Sequence, residues 1–364
     1  MRRWSFTLDR IVMTTARLSL RPFATLLPGL AFVVALAVAA KGVYYLTDAA
    51  VSAVLCAIGI GILWRNVIGL GAWAEHGVEF ASKTLLRIGI ALIGLRLTLV
   101  VLADVSLIAI PIVLACVTVA LLSTLGLGRL LGVPKGMRHL LAAGTAICGA
   151  TAIISVAPLL RSKKADIGIA LTCVVLFGSI AMMSYPWIAG ALFGSAAVPA
   201  GMFFGSSIHD TSQVVGAAMI YAEQFQAPDT VAIAGLTKFL RTLGLLVLIP
   251  VAALMAARSE ASAAGAKPRG WYRKAVPLFV ISFIGLVIVR TVGDGMAGDA
   301  AQWKALLGYA QLASEWLLLV GMAAVGLGVT VSHLREAGWR PVVLAFVAAL
   351  LTGACGLALV TALT

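Results

Sequence analysis

Charged side chains are scarce in this sequence. Asp and Glu number 14 and Lys and Arg 27, together 11% of 364 residues. A soluble domain of this length carries roughly a quarter charged residues, so a water-facing globule is excluded. Histidine is rarer still, at 4, and no HExxH pair occurs, which removes helix-borne zinc hydrolysis. The five cysteines, Cys56, Cys116, Cys148, Cys173 and Cys355, lie in apolar surroundings without CxxC spacing. A disulfide framework or a zinc site is therefore not expected. There is no Walker A loop, so ATP is not the direct energy source. The basic residues form no stripe interleaved with aromatics, and nucleic acid is not an expected partner. Neither a cofactor nor a metal is expected.

Long apolar runs are what the sequence does have. Hydrophobic residues make up 62% of it. The runs fall at approximately 26–46, 50–70, 84–103, 105–128, 140–158, 166–192, 199–222, 230–256, 275–293, 306–330 and 340–362. A transmembrane helix needs about 20 such residues. In lipid, only helices and closed barrels satisfy their own backbone. The expected fold is an all-α membrane protein with about 10–11 transmembrane helices, set in a lipid bilayer as a multi-pass protein.

Basic residues set its orientation. The net charge is +13, and the positive residues cluster between apolar runs, which marks cytoplasmic loops. Residues 1–22, with Arg2, Arg3, Arg10, Arg17 and Arg21, lack the compact apolar core of a signal peptide. They read as a cytoplasmic amphipathic lead-in. Residues 23–256 form the main transmembrane bundle, 257–274 a cytoplasmic linker, and 275–364 a C-terminal part of three helices. Arg161, Lys163 and Lys164 conflict with simple alternation, because a full crossing by 140–158 would put them outside. Either that segment dips in and returns, or the charge bias fails there.

Two segments echo each other. Gly144-Thr145-Ala146-Ile147-Cys148-Gly149-Ala150-Thr151 lies over Gly205-Ser206-Ser207-Ile208-His209-Asp210-Thr211-Ser212. Both are rich in glycine and hydroxyls, both precede a Val/Ile stripe, and each is followed by a long run containing one proline, Pro186 or Pro250. Paired glycine-interrupted apolar segments point to inverted repeats and a transporter binding site. Small residues at tight helix contacts are the plainer explanation. A fainter echo links Gly94-Leu95-Arg96-Leu97-Thr98 to Gly326-Leu327-Gly328-Val329-Thr330.

At Ala146–Ile153 (AICGATAI) and Phe204–Val215 (FGSSIHDTSQVV) the chain resembles the sulfate exporter family of bacterial inner-membrane proteins. The likeness extends through Ile93–Leu97 and Thr237–Arg241 and covers most of the chain from about residue 26. Thr151 stands where the family more often has serine. The resemblance implies efflux of sulfate or a sulfonate across a bacterial inner membrane. It also implies distant kinship with the cation/proton antiporter and bile-acid transporter superfamily, with inverted repeats and discontinuous helices.

Ionisable groups inside a membrane cost roughly 2.5–3.5 kcal/mol each on insertion scales. The interior candidates are Arg96, His209, Asp210, Lys238 and Arg241. Arg65, Arg290 and Glu315 stand nearer the block ends, where snorkelling explains them. If 206–213 is helical, Ser206, Asp210 and Gln213 share a face, and Lys238 and Arg241 share another. The expected substrate-binding set is Thr145, Cys148, Gly149, Thr151, Ser206, Ser207, Thr211, Gln213, Lys238, Arg241 and Arg96, with His209 and Asp210 exchanging protons. Arginine offers a planar fork to an oxyanion and lysine a compact charge. A structural ion pair of Asp210 with Lys238 or Arg241 is the plainer alternative.

The function expected from this set is secondary transport of a small inorganic or organic anion, coupled to protons or another ion. A cation/proton antiporter, leaning on Asp210 and using the cations as structural partners, is the second reading; a channel is a third. An intramembrane enzyme is disfavoured, since neighbours on a helix point about 100° apart and Asp210 could not orient His209. A homodimer is compatible with all of these.

Overall fold

The computed structural model describes residues 25–48, 51–244, 278–297, 300–330 and 338–364. The lead-in at 1–22, the linker at 257–274 and Pro250 lie outside them. The described residues are helical and contain no strand. In chain order the helices are α1 (Leu27–Leu46), α2 (Ala53–Val67), α3 (Ala72–Phe80), α4 (Leu86–Leu92) and α5 (Leu99–Leu130). They continue with α6 (Lys135–Ala146), α7 (Ala150–Val156), α8 (Lys164–Phe193), α9 (Ala197–Ser207), α10 (Thr211–Gln224) and α11 (Thr230–Thr242). Beyond the linker come α12 (Leu278–Ala297), α13 (Ala301–Gly328) and α14 (Trp339–Leu363). A π turn at Ala81–Leu85 joins α3 to α4, and a 3-10 turn, Ile93–Arg96, ends α4.

Six of these helices, α1, α5, α8, α12, α13 and α14, are long and apolar enough to cross a membrane. One boundary differs from the apolar-run reading. The chain turns at Leu97–Thr98, inside the run 84–103. There Thr98 leaves helical geometry and its hydroxyl accepts from the Val101 N–H at the start of α5. A capping hydroxyl outweighs apolar continuity at that point.

Packing divides the helices into two groups. α1–α4 pack with α12 and α13; α5–α11 pack with α14. The first group depends on small residues: a Cβ on Gly61 would stand 2.7 Å from the Ala323 carbonyl oxygen of α13, so only glycine permits that approach of α2 and α13. The groups meet along a narrower seam, chiefly where α10 touches α2 and α13.

The two echoing segments are broken helices, and each turns back on itself. α6 has 12 residues and α7 has 7, about 18 and 10 Å long, and neither reaches across a hydrocarbon layer of about 30 Å. α6 packs along both α7 and α8, and a Cβ on Gly144 of α6 would stand 2.8 Å from Ile153 of α7 and 2.9 Å from Val174 of α8. Val133, Met137, Leu140, Leu141, Ile153 and Ala170 belong to one buried cluster. The chain therefore returns to the end from which it entered. Arg161, Lys163 and Lys164 share that end with Arg129, Lys135 and Arg138, and the conflict in charge bias disappears. The second hairpin enters from the opposite end, after α8 has crossed. The Tyr221 hydroxyl near the end of α10 donates to the Gly194 and Ala196 carbonyls that precede α9, at 2.8 and 3.3 Å.

Candidate functional site

The tips of the two hairpins, Ile147–Gly149 and Ile208–Asp210, meet inside the second helix group. A helix leaves its last four carbonyls without intrahelical donors, and in a membrane core each unpaired group costs several kcal/mol. Here two helices end deep in the protein, and two cations of α11 take up their carbonyls. The Lys238 ammonium donates to Ile147 O and Ile208 O, each at 2.9 Å, and to His209 O. Arg241 donates through Nε to Ala146 O at 2.7 Å, through Nη1 to Ser206 O and Ile208 O at 2.7 and 3.1 Å, and through Nη2 to Thr145 O. Both side chains are fully buried. Lysine has three N–H donors, so every Lys238 proton has a carbonyl. At the first tip, Ala143 O and Gly144 O are met by the Ile147 and Gly149 amides; no carbonyl from Ala143 to Ile147 is left over.

Beyond the tips the chain re-enters helix at Ala150 and Thr211. Asp210 is the N-cap of α10: its Oδ1 accepts from the Ser212 amide at 2.9 Å and the Ser212 hydroxyl at 2.6 Å. Gly149 faces it across the junction. Its φ of +60° and ψ of −122° suit glycine, and a Cβ there would lie 3.2 Å from Asp210 Oδ2. Asp210, Thr211 and Ser212 are half-buried and Thr151 is exposed, so this side of the junction is open while the cation side is closed.

Several sequence expectations change. Ser206, Asp210 and Gln213 do not share a helical face, because the helix stops after Ser207 and Asp210 is extended. The backbone break at Ile208–Asp210 replaces the 100° helical offset assumed for His209 and Asp210. Among the described residues Asp210 forms no ion pair, so the cations serve the backbone instead. Arg96 stands apart, on Glu315 of α13 at 2.8 Å; Glu315 lies in mid-helix rather than near an end, and Gln311 also binds it. Arg290 pairs with Asp294 and donates to Leu95 O, which ties α12 to the 3-10 turn.

The remaining candidates distribute as follows. His209 is buried, with no hydrogen-bond partner on Nδ1 among the described residues. The Thr145 hydroxyl donates to Leu141 O and meets Thr124 Oγ1 of α5 at 3.1 Å. The Ser206 hydroxyl turns back to Phe203 O, and the buried Ser207 hydroxyl has no partner. Cys148 is buried at the first tip. Gln213 points away from the junction, donating to Val175 O and Ser179 Oγ of α8 at 2.9 and 3.2 Å. Ser212 and Thr124 were missed. Asp-x-Ser ahead of a Val/Ile stripe is an N-cap signature that would have found Ser212; nothing local marks Thr124.

Such an arrangement defines a polytopic helical membrane protein built around two opposed re-entrant hairpins. The chain belongs to the family described as Conserved hypothetical protein 698, whose model matches residues 28–345. The UPF0324 membrane protein TauZ of Paracoccus pantotrophus is 32% identical over 316 residues, covering 84% of this chain and 87% of that one. The UPF0324 inner membrane protein YeiH of Escherichia coli K12 is 31% identical over 307 residues, 81% of each chain. A UPF0324 membrane protein of Bacillus anthracis is 31% identical over 299 residues, 82% of each. No solved structure matches with significance. This is thus a member of a bacterial membrane-protein family.

Proposed function

We propose that the protein is a proton-coupled secondary transporter of a small anion, with the anion bound on the open side of the hairpin junction beside Gly149, Thr151, Asp210, Thr211 and Ser212. The observation that carries this reading is charge balance. The junction gathers two helix C-termini and two N-termini, worth roughly half a charge each and of opposite sign, so they cancel approximately. The side chains are Lys238, Arg241 and Asp210, a net of about +1 with Asp210 ionised and about +2 with it protonated when His209 is neutral. An anion brings the junction toward neutrality; a bound cation moves it further away. Lys238 and Arg241 act through the backbone they hold rather than by touching the substrate. Two hairpins inserted from opposite ends also support the inverted repeat, and with it kinship to the antiporter and bile-acid transporter superfamily. Sulfate or a sulfonate, exported across the inner membrane with the N-terminus cytoplasmic, is the substrate class that the family resemblance adds.

Proton coupling rests on Asp210, with His209 adjacent. A carboxylate capping α10 is itself an anion at a helix N-terminus. Ionised, it excludes substrate; protonated, it yields the place. The second reading, cation/proton antiport, draws on the same partly exposed carboxylate, which has no ion pair among the described residues. Reconstituted liposomes distinguish the two. Saturable anion flux that responds to an imposed pH gradient, with Asp210→Asn still binding anion but losing the gradient dependence, is the expected result. Gradient-driven flux of Na+ or K+ without anion flux would establish antiport, and unaltered proton-driven anion flux in Asp210→Asn would remove Asp210 from the coupling.

A further inference from the structure

The end of the bundle from which the first hairpin enters is strongly cationic. Arg129 lies in the last turn of α5, Lys135 and Arg138 in the first turns of α6, and Arg340 at the second residue of α14. Three helices converge there. A Cβ on Gly132 would stand 3.4 Å from Arg340 Nη1, and one on Gly128 would stand 2.7 Å from the Arg138 stem and 2.8 Å from Leu344 of α14. The helix dipole accounts for Arg129 at a C-terminus. It opposes Lys135, Arg138 and Arg340, which stand at N-termini where a cation is disfavoured. Neither of those N-termini carries an acidic residue in its first turn, and their N-caps, Pro134 and Gly338, supply no side-chain bond. The one carboxylate within α5, α6 and α14 is Asp104, about 38 Å from Arg129 along the helix. The adjoining start of α8 adds Lys163 and Lys164 against Asp166. Arg138 Nε is buried without a hydrogen-bond partner among the described residues.

From this we infer that the cationic end is a binding surface for an anionic phospholipid, its phosphate held among Arg129, Lys135, Arg138 and Arg340. Charge complementarity calls for an anion, and the apolar margin identifies a lipid. Leu130 is 83% and Trp339 64% exposed, and the Arg340 guanidinium lies over the Trp339 ring at 5.6 Å. Tryptophan at headgroup depth is the signature of a membrane interface, and basic pockets between helix ends take anionic headgroups. An acyl chain would follow Leu130 while the phosphate met the uncapped amides.

The full-length protein in a non-ionic detergent tests this by native mass spectrometry and thermal midpoint, with cardiolipin, phosphatidylglycerol, phosphatidylcholine or inorganic phosphate added separately. The anionic lipids are expected to be retained and to raise the midpoint; phosphatidylcholine and inorganic phosphate are not. Arg138→Gln with Arg340→Gln should weaken retention at least tenfold. Lys83→Gln, which alters an exposed cation paired with Glu79 elsewhere, should leave it unchanged. If the double variant does not fold, Arg129→Gln with Lys135→Gln changes only exposed side chains and should weaken retention several-fold. Equal retention of phosphatidylcholine, reproduction of the shift by inorganic phosphate, or wild-type behaviour of the charge variants would each overturn the assignment.

Discussion

The two hairpins have one shape and different chemistry. The first, α6–α7, ends in Ile147-Cys148-Gly149, a tip without carboxylate or imidazole. The second, α9–α10, ends in Ile208-His209-Asp210 and carries one of each. They share the cations of α11, and Ile147 O and Ile208 O are held by the same ammonium. The difference teaches a division of labour: the first tip supplies shape, the second supplies charge, and the carbonyls of both are held by cations of a third element, α11.

Removing the shared clamp should have the largest effect, because it destroys both tips at once. Lys238→Met leaves two carbonyls, Ile147 O and His209 O, without donors and Ile208 O with Arg241 alone, at about 1–3 kcal/mol for each orphan. It should lower the stability of the purified protein by several kcal/mol, read as a large fall in thermal midpoint. Arg241→Lys should do nearly as much, since the guanidinium fork reaches four carbonyls, of Thr145, Ala146, Ser206 and Ile208, and a single ammonium has three donors and no such fork. A near-native midpoint in either variant would show that the hairpins stand without the clamp.

Gly149→Ala acts on the first tip alone. A non-glycine residue in that backbone region costs of order 1–3 kcal/mol, and the methyl presses on Asp210. A moderate loss of stability is expected with a larger loss of anion affinity, measured by flux in liposomes. Asp210→Asn acts on the second tip alone. The amide oxygen can still cap α10, so the thermal midpoint should stay within a few degrees while the response to a pH gradient disappears. If these two variants gave the same phenotype, the division between shape and charge would fail.

Glu223→Gln should have the smallest effect and reaches the second hairpin from its far end. Glu223 Oε2 accepts from Ser52 Oγ at 2.5 Å, and Ser52 in turn caps α2. This bond joins the two helix groups across their seam. Its partial loss should cost about 1 kcal/mol and appear as faster amide exchange at the start of α2, without change at the hairpin tips.

Much of this was legible in the sequence. The apolar runs located most of the helices, since a span of about 20 residues leaves few alternatives, although α3 falls between two runs. The echo of Gly144–Thr151 with Gly205–Ser212 located both breaks, and Lys238 and Arg241 were evident because charge inside an apolar run is costly. The misplaced cations Arg161, Lys163 and Lys164 even hinted that the first segment turns back. What the cations bind was not legible. A sequence displays side chains, so Asp210 looked like the natural partner, whereas the acceptors are main-chain oxygens that exist only once two helices end face to face. Arg96 was drawn into the candidate site for the same reason. Its partner, Glu315, lies 219 positions away in sequence, and no local pattern joins them.

Because Lys238 and Arg241 grip peptide oxygens, the joint between the hairpins is indifferent to most of the side chains it joins. Any residue that tolerates the backbone course of a tip presents the same oxygen to the same cation. The exposed Thr151 and the half-buried Thr211 are thus free to vary in size and polarity while the framework persists. A protein organised in this way can remake the open face of its junction by altering a few tip residues, with no need to rebuild the framework beneath it.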